Sequence, residues 1–319
     1  MKLSEAVADY VSRRRTGGSP FVSSEAVLKI FYVHCGDLDL QELSTDHVAS
    51  FIHSPKISPG TRSSRYSVVS GFLTFHRARG SMPLLQVEKP VPKRDCRIPI
   101  VYTHHQIRSL LNAATKANWQ GDEIDGSTLR MILLVLYATG ATVNEVVCLR
   151  RVNVDLKRRS IDFKGTPRHS CRRLPIGPDL YRELGLYIRT HCKNSQETLL
   201  FRFKSGREIK RSNLWSRFGR LCGMAGIPAS HDGHVPRLHD LRATFAVHRL
   251  TSAIRARQNM NDLIPALSTY LGSSVLTRAE HFLSFIPERF SADLEKLSST
   301  KSRTRWRNNP ELLGYLDSL

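Results

Sequence analysis

The sequence predicts a mainly α-helical protein with a small antiparallel β-sheet, divided into two domains. Apolar residues recur at helical spacing over most of the chain, whereas two short segments flank a turn rich in glycine and proline. A basic, proline-rich stretch without a helical period separates an N-terminal part from the rest. A chain of 319 residues is long enough for two domains with separate cores.

The N-terminal part, residues 1–82, is predicted to be a small helical bundle. Four helical patterns are present, at Leu3–Arg14, Ser24–Tyr32, Ser44–Ile52 and Thr61–Arg79. The last carries Val68, Phe72 and Phe75 at spacings of four and three, which gives it an apolar side. Four arginines lie near its ends, namely Arg62, Arg65, Arg77 and Arg79. From these residues alone, the arginines are equally explained as solvated helix ends or as DNA contacts.

Residues 83–102 are predicted to be an interdomain linker. The segment contains several prolines and basic residues, namely Pro83, Pro90, Pro92, Pro99, Lys89, Lys93, Arg94 and Arg97. Its extended, positively charged character suits a strap across a DNA backbone, and also a linker that binds nothing.

The second domain is predicted to begin at residue 103, with its sheet after three helices. The predicted helices lie at His104–Ala114, Leu129–Leu136, Glu145–Leu149, Asp179–Cys192 and Leu214–Ala225, with another from His239. Thr142 and Glu145 have the spacing of a capping box. Strands at Ser160–Phe163 and Arg172–Ile176 are predicted to form a hairpin, with Lys164 where the first strand meets the turn.

The charge balance points to a polyanionic partner. Lys+Arg total 48 against Asp+Glu 28, a net charge of +20, and the basic residues are spread along the chain. An acidic membrane surface would attract the same charge, but no apolar run approaches the roughly 18 residues that span a bilayer. The first residues form an amphipathic pattern without a signal-peptide core, so the protein is expected to be cytoplasmic.

The six cysteines are expected to be reduced thiols without a metal. They are scattered and form no C-x-x-C pair. Cys35 follows His34 and Cys192 follows His191, but adjacent residues rarely point the same way. The sequence therefore predicts no metal site.

Four ordered segments resemble the motifs of the tyrosine recombinase, or phage integrase, family. Ala138–Arg150 is similar to A-T-G-L-R-x-S-E-L-x-x-L, and Phe163–Gly165 is similar to the hairpin that bears the family's lysine. His239–Phe245 matches H-D-L-R-x-T-F, and Leu271–Glu288 resembles L-G-H followed by T-x-x-x-x-Y-L-x-F-x-P-E. Because the motifs occur in the family's order, together they are far more specific than any one alone.

The resemblance implies an N-terminal helical (SAM-like) core-binding domain over residues 1–82 and a catalytic-type domain over residues 103–295. The two are expected to form a C-shaped clamp on double-stranded DNA, with residues 296–319 as a tail that contains a docking helix. The residues predicted to contact DNA are Arg62, Arg65, Arg77, Arg79, Lys93, Arg94, Arg168, Arg172 and Arg173.

In this family a tyrosine attacks a DNA phosphodiester, arginines and histidine stabilise the charge on the phosphoryl oxygens, and lysine protonates the leaving 5′ oxygen. Metals and small-molecule cofactors are not needed. The matching positions retain Lys164, His239 and Arg242. Three other family positions are changed: the first arginine is Thr142, the histidine of L-G-H is Ser273, and the nucleophilic tyrosine is Phe282.

These substitutions predict a mobile-element pseudo-recombinase that binds DNA and acts with an active homologue, or a decaying gene. A second hypothesis is a working recombinase whose nucleophile has moved to Tyr270 or Tyr315, although Tyr270 is better explained as a core residue. A third is a sequence-specific regulator that never joins a recombining complex. The sequence does not discriminate between the first and the third.

Overall fold

The computed structural model describes residues 1–17, 21–55, 57–82, 84–85, 87–90, 98–116, 124–165, 171–192, 198–229, 233–272, 282–286 and 310. The chain divides into two compact units, Met1–Arg97 and Ile98–Leu319. The division falls within the predicted linker, whose residues 91–97 lie outside the described residues.

The first unit is a four-helix bundle, which confirms the predicted helical pattern. Its helices are α1 (Leu3–Thr16), α2 (Val22–Cys35), α3 (Thr45–Ile52) and α4 (Pro59–Arg77). Phe31, Phe51 and Phe72 are fully buried between them. Helix α4 starts two residues earlier than predicted, because Ser58 caps it and proline is well suited to the first helical turn.

The second unit contains seven helices and three strands among its described residues. They are α5 (His104–Lys116), α6 (Gly126–Thr139), α7 (Val143–Val147), β1 (Val154–Asp155), β2 (Ser160–Phe163), β3 (Arg172–Pro175), α8 (Pro178–His191), α9 (Arg211–Met224), α10 (Asp240–Arg255) and α11 (Met260–Leu271). Short 3₁₀ turns lie at Arg151–Asn153, between α7 and β1, and at Phe282–Phe285, after α11. No helix in the described ranges has the length and apolar character needed to cross a bilayer.

The small sheet is antiparallel in the order β1-β2-β3, as the fold class predicted. Phe163 pairs with Arg172 at the end of the β2–β3 hairpin where the connecting turn begins, so Lys164 directly follows the last pair. Strand β1 was not predicted from the sequence, because two residues are too short to show the alternation that identifies a strand.

Helices α6 and α10 form the centre of the second unit. Helix α6 packs against α5, α8 and α10. Most of its residues are apolar and buried, in agreement with the prediction of a core helix. Every residue of α10 from Asp240 to His248 is buried as well, so the polar groups on this stretch must find partners inside the protein.

Gly140, which ends α6, is expected to be intolerant of a side chain. Its φ is +62°, and an added Cβ would lie 2.6 Å from the Phe245 ring and 2.7 Å from Leu271. We expect Gly140→Ala to lower the free energy of unfolding by about 1 to 3 kcal/mol, measured by urea denaturation. Gly206→Ala is the control, because φ at Gly206 is +84° but the space around it is open. An equal effect of both changes would show that packing at Gly140 contributes nothing.

Candidate functional site

Arg242 is held by the ends of two helices. Its side chain lies on α10 with only 8% of the residue exposed, and its Nη1 and Nη2 donate to the carbonyl oxygens of Gly140 at 2.6 Å and Leu271 at 2.8 Å. Both carbonyls lie at helix C-termini, where the helix dipole is negative and favours a cation. The guanidinium is therefore fixed in place before any ligand binds.

Arg172, on strand β3, donates a hydrogen bond to the same C-terminal end of α11. Its Nε donates to the Tyr270 carbonyl at 2.8 Å, and its two terminal nitrogens donate to the two carboxylate oxygens of Glu145. The side chains of Arg172 and Glu145 are 6% and 0% exposed. An added Cβ at Gly272 would lie 2.7 Å from Nη1 of Arg172, so the close approach requires glycine there. Two arginines from different elements thus hold consecutive carbonyls of α11.

Thr142 and Glu145 form the capping box that the sequence predicts. The Thr142 backbone N–H donates to Glu145 Oε2 at 2.7 Å, and the Glu145 N–H donates to Thr142 Oγ1 at 3.4 Å. Burial on its own would raise the pKa of Glu145, but hydrogen bonds from Arg172 and Thr142 outweigh it and bring the pKa below its usual value. The carboxylate is therefore ionised and neutralised by Arg172.

Lys164 and His239 are exposed, in contrast to Arg242. Lys164 follows β2, where the neighbouring Gly165 N–H donates to the Cys171 sulfur at 3.0 Å. His239 precedes α10, and its carbonyl accepts from the Arg242 N–H at 3.1 Å. Lys164 directly follows β2 and His239 directly precedes α10, the helix that carries Arg242. The exposed Lys164 ammonium is a group of the kind that binds an anionic ligand.

Of the two C-terminal positions at which the sequence departs from the family motif, the structure describes Phe282 but not Ser273. Phe282 is half-buried in a 3₁₀ turn and packs with the cluster that contains Phe245 and Leu271. A phenyl ring in that position has no oxygen to attack with. Ser273 lies outside the described residues, as do Lys93, Arg94 and Arg168.

Tyr270 has the features of a packing residue. Its ring stacks on Phe245 at 5.5 Å, and its hydroxyl donates to the Pro175 carbonyl at 3.3 Å. Burial raises the pKa of Tyr270, which makes its phenolate harder to form. Tyr315, the other alternative nucleophile, lies outside the described residues.

Three of the four arginines on and just after α4 that were predicted to contact DNA also contact other residues of the protein. Arg62 and Arg65 donate to the carbonyls of Ser54 at 3.3 Å and Phe51 at 2.7 Å, and Arg65 lies over the Phe51 ring. Arg79 pairs with Asp9 at 2.9 Å. Arg77 is exposed at the end of the helix. These contacts hold α4 against its neighbours and leave the prediction of DNA contact untested.

Arg172 and Arg173 are adjacent in β3 but have opposite environments. Arg173 is exposed and forms two hydrogen bonds with Asp162 across the sheet, at 2.6 and 2.9 Å. The alternation of the strand turns the Arg172 side chain inward to Glu145, and its contact with DNA stays a prediction. Its described contacts are structural.

Helix α9 carries a cationic and aromatic surface that was not predicted from the sequence. Trp215 is 59% exposed, and the Arg211 guanidinium lies 5.1 Å from its ring centre. An exposed indole ring beside a cation is uncommon and is typical of a binding surface. The spacing of four between Arg211 and Trp215, next to Lys210 and Arg220, is the signal that could have revealed it.

Residues 101–258 match the phage integrase family, and this span includes Thr142, Glu145, Lys164, Arg172 and Arg242. The chain belongs to this family, the tyrosine recombinases. The resemblance of the four ordered motifs is thereby confirmed. The family takes part in DNA recombination.

Curated recombinases resemble the protein over most of its length. The integrase/recombinase y4rB of Sinorhizobium fredii is 25% identical over 301 residues, which cover 92% of this chain and 96% of y4rB. The tyrosine recombinase XerC of a Roseiflexus species is 27% identical over 236 residues, which cover 69% of this chain and 71% of XerC.

Solved integrase structures share the fold of this tyrosine recombinase. A lambda integrase dimer bound to a COC′ core site matches with a TM-score of 0.65 and 13% identity, over 88% of this chain and 77% of that chain. The Tn1549 transposon integrase in complex with transposon right end DNA matches with a TM-score of 0.64 and 16% identity, over 94% and 100%.

Proposed function

We propose that this tyrosine recombinase binds a duplex DNA site as a catalytically inactive member of a recombination complex, beside an active homologue. The observation that carries the proposal is a pair of substitutions at positions of the family motif: Phe282 in place of the nucleophilic tyrosine and Thr142 in place of the first arginine. The motif's second arginine, Arg242, is retained and is held by two backbone carbonyls.

The chemistry of strand cleavage explains why these two changes matter most. The tyrosine oxygen forms a bond to phosphorus while the bond to the 5′ oxygen breaks, and the leaving oxygen takes a proton from lysine. Phe282 offers no oxygen for the first bond. An arginine on a transferring phosphoryl group is worth about 10³- to 10⁵-fold in rate, and the neutral Thr142 hydroxyl does not replace it.

The groups that remain are those that bind phosphate. Arg242 presents a preorganised guanidinium. Lys164 and His239, which occupy the other retained positions of the family motifs, are exposed. Phosphate contacts provide most of the affinity of such proteins, in agreement with the net charge of +20. The Arg211 guanidinium of α9, which lies over the exposed Trp215 ring, is a further cation that could contact phosphate.

The wider assembly is proposed by analogy with relatives. The lambda and Tn1549 integrase structures contain DNA, and the lambda integrase is a dimer on its core site. We extend this arrangement to the present chain, with residues 1–82 as a core-binding domain, residues 83–102 as a linker across the DNA backbone, residues 103–295 as the catalytic-type domain and residues 296–319 as a docking tail. We propose that the gene belongs to a mobile element and that the protein acts in the cytoplasm.

A working enzyme with a relocated nucleophile has less support. Tyr270 donates its hydroxyl to Pro175 and stacks on Phe245, so its oxygen is engaged in the packing of α11. The regulator hypothesis shares the DNA-binding surface with our proposal and differs only in the dependence on a second recombinase.

A suicide-duplex assay tests the proposal. We expect the purified protein to bind a nicked duplex carrying its site and to leave no covalent adduct on a denaturing gel, and to change the cleavage by a co-encoded recombinase. An adduct that disappears with Tyr270→Phe or Tyr315→Phe would establish a relocated nucleophile instead. Specific binding without any effect on the active recombinase would support the regulator.

A further inference from the structure

The turn between β1 and β2 forms a cationic surface that is separate from the candidate site. Lys157, Arg158 and Arg159 are consecutive and all exposed. Strand β2 runs from this turn to Lys164, so the two cationic groups lie at opposite ends of the sheet. Five residues of extended chain at about 3.4 Å each place them roughly 17 Å apart.

Arg159 adopts a backbone conformation that its side chain disfavours. Its φ is +49°, in the left-handed region, where a residue other than glycine, asparagine or aspartate is destabilised by about 1 to 2 kcal/mol. Glycine would remove that strain. An arginine in such a position indicates that the side chain has a use, because strain is tolerated where function requires it.

The surrounding residues fix the direction in which Arg159 points. Its carbonyl accepts a hydrogen bond from the Ile176 N–H at 2.9 Å, which ties the turn to the end of β3. Its guanidinium lies 5.1 Å from the ring centre of Tyr181 in the first turns of α8. The turn therefore presents a cation whose position is set by the fold, rather than a freely moving side chain.

The charges of this surface are only partly balanced. Arg158 is 72% exposed and meets Asp155 at 3.8 Å, which is a weak contact. Arg182 of α8 is 75% exposed and pairs with the exposed Asp179. For Lys157 the described part of the chain offers no ion-pair partner. Positive charge is thus in excess, and a row of consecutive cations on a rigid turn fits the regularly spaced charges of a phosphate backbone.

We propose that the β1–β2 turn, residues 156–159 together with Tyr181 and Arg182, binds the phosphate backbone of a second DNA segment. The first segment occupies the site of Lys164 and Arg242 at the other end of the sheet. This inference rests on the proposed DNA binding and adds that one protein bridges two duplexes. Single-sided binding would leave the strained Arg159 without a ligand.

A bridging assay tests this surface. An immobilised duplex carrying the site is saturated with the full-length protein, and capture of a second, fluorescent duplex is measured over a range of salt concentrations. The variant Lys157→Ala/Arg158→Ala/Arg159→Gly removes three charges and also relieves the strain at residue 159. The control Lys204→Ala/Arg189→Ala/Arg207→Ala removes one lysine and two arginines that are exposed elsewhere in the same unit.

We expect the turn variant to bind the first duplex as the wild type does and to capture the second at least about tenfold less well, whereas the control behaves as the wild type. Each lost phosphate contact should reduce the slope of log affinity against log salt for the second duplex by roughly 0.9. Equal capture by variant and wild type, or binding of the first duplex with no capture of a second, would overturn the bridging surface alone. Failure to bind the first duplex would overturn the proposed function as well. Capture of a poly-glutamate peptide in preference to the second duplex would point to an acidic protein partner and overturn the proposal.

Discussion

Replacing Glu145 with alanine is expected to lower the free energy of unfolding by about 3 to 5 kcal/mol. The change leaves the Arg172 guanidinium buried without its counter-ion, and it also removes the carboxylate that accepts from the Thr142 N–H at 2.7 Å. Urea denaturation followed by circular dichroism measures the loss.

The matched control replaces both members of the pair, as Glu145→Leu with Arg172→Met. Apolar side chains in place of a buried ion pair are often close to neutral, so the double variant should be more stable than Glu145→Ala. If Glu145→Leu and Arg172→Met have additive effects in a double-mutant cycle, the two side chains do not stabilise each other and the expectation fails.

The same pair gives the protein a specific sensitivity to acid. The folded-state pKa of Glu145 lies below its unfolded value, so its stabilising contribution is complete above the unfolded pKa of about 4.3. That contribution is lost as the pH falls through the folded-state pKa. The Glu145→Leu/Arg172→Met variant should therefore lose less stability than the wild type between neutral pH and pH 3.

Introducing the two residues of the family motif that are replaced at positions 282 and 142 is expected to have the largest effect on activity. Phe282→Tyr supplies the oxygen that can form a phosphotyrosyl link, and Thr142→Arg supplies the guanidinium of the family motif. We expect Phe282→Tyr alone to give a trace of adduct on nicked suicide DNA. Adding Thr142→Arg should raise the cleavage rate by about 10³- to 10⁵-fold.

The geometry around position 142 supports this expectation. Thr142 Oγ1 lies 2.9 Å from Glu145 Oε2, so a new arginine would start beside a carboxylate that already orients one guanidinium. Loss of the threonine cap should lower stability by only about 1 kcal/mol. Thr142→Lys with Phe282→Tyr is the control, because lysine carries the charge without the two-pronged geometry of arginine. An adduct from the wild-type protein, or equal rates with and without Thr142→Arg, would contradict the assignment of these two positions.

Much of the fold could be predicted from the sequence, because the features that predict it are local, whereas the roles assigned to the site residues stay predictions. The four helices of the first unit, the β2–β3 hairpin and the cap at Thr142 each depend on neighbouring residues and appear within a few positions of where the pattern indicates. The absence of an oxygen at Phe282 is likewise a property of one residue and needs no coordinates.

The tertiary structure alone decided what the arginines do. In the sequence Arg172 and Arg173 are equivalent, but one is buried against Glu145 and the other lies on the surface beside Asp162. The two carbonyls that accept from Arg242 belong to Gly140 and Leu271, which lie 102 and 29 positions away from it in the chain. A guanidinium takes its role from the acceptors that the fold brings to it, and those acceptors are backbone carbonyls and distant carboxylates that no local pattern contains.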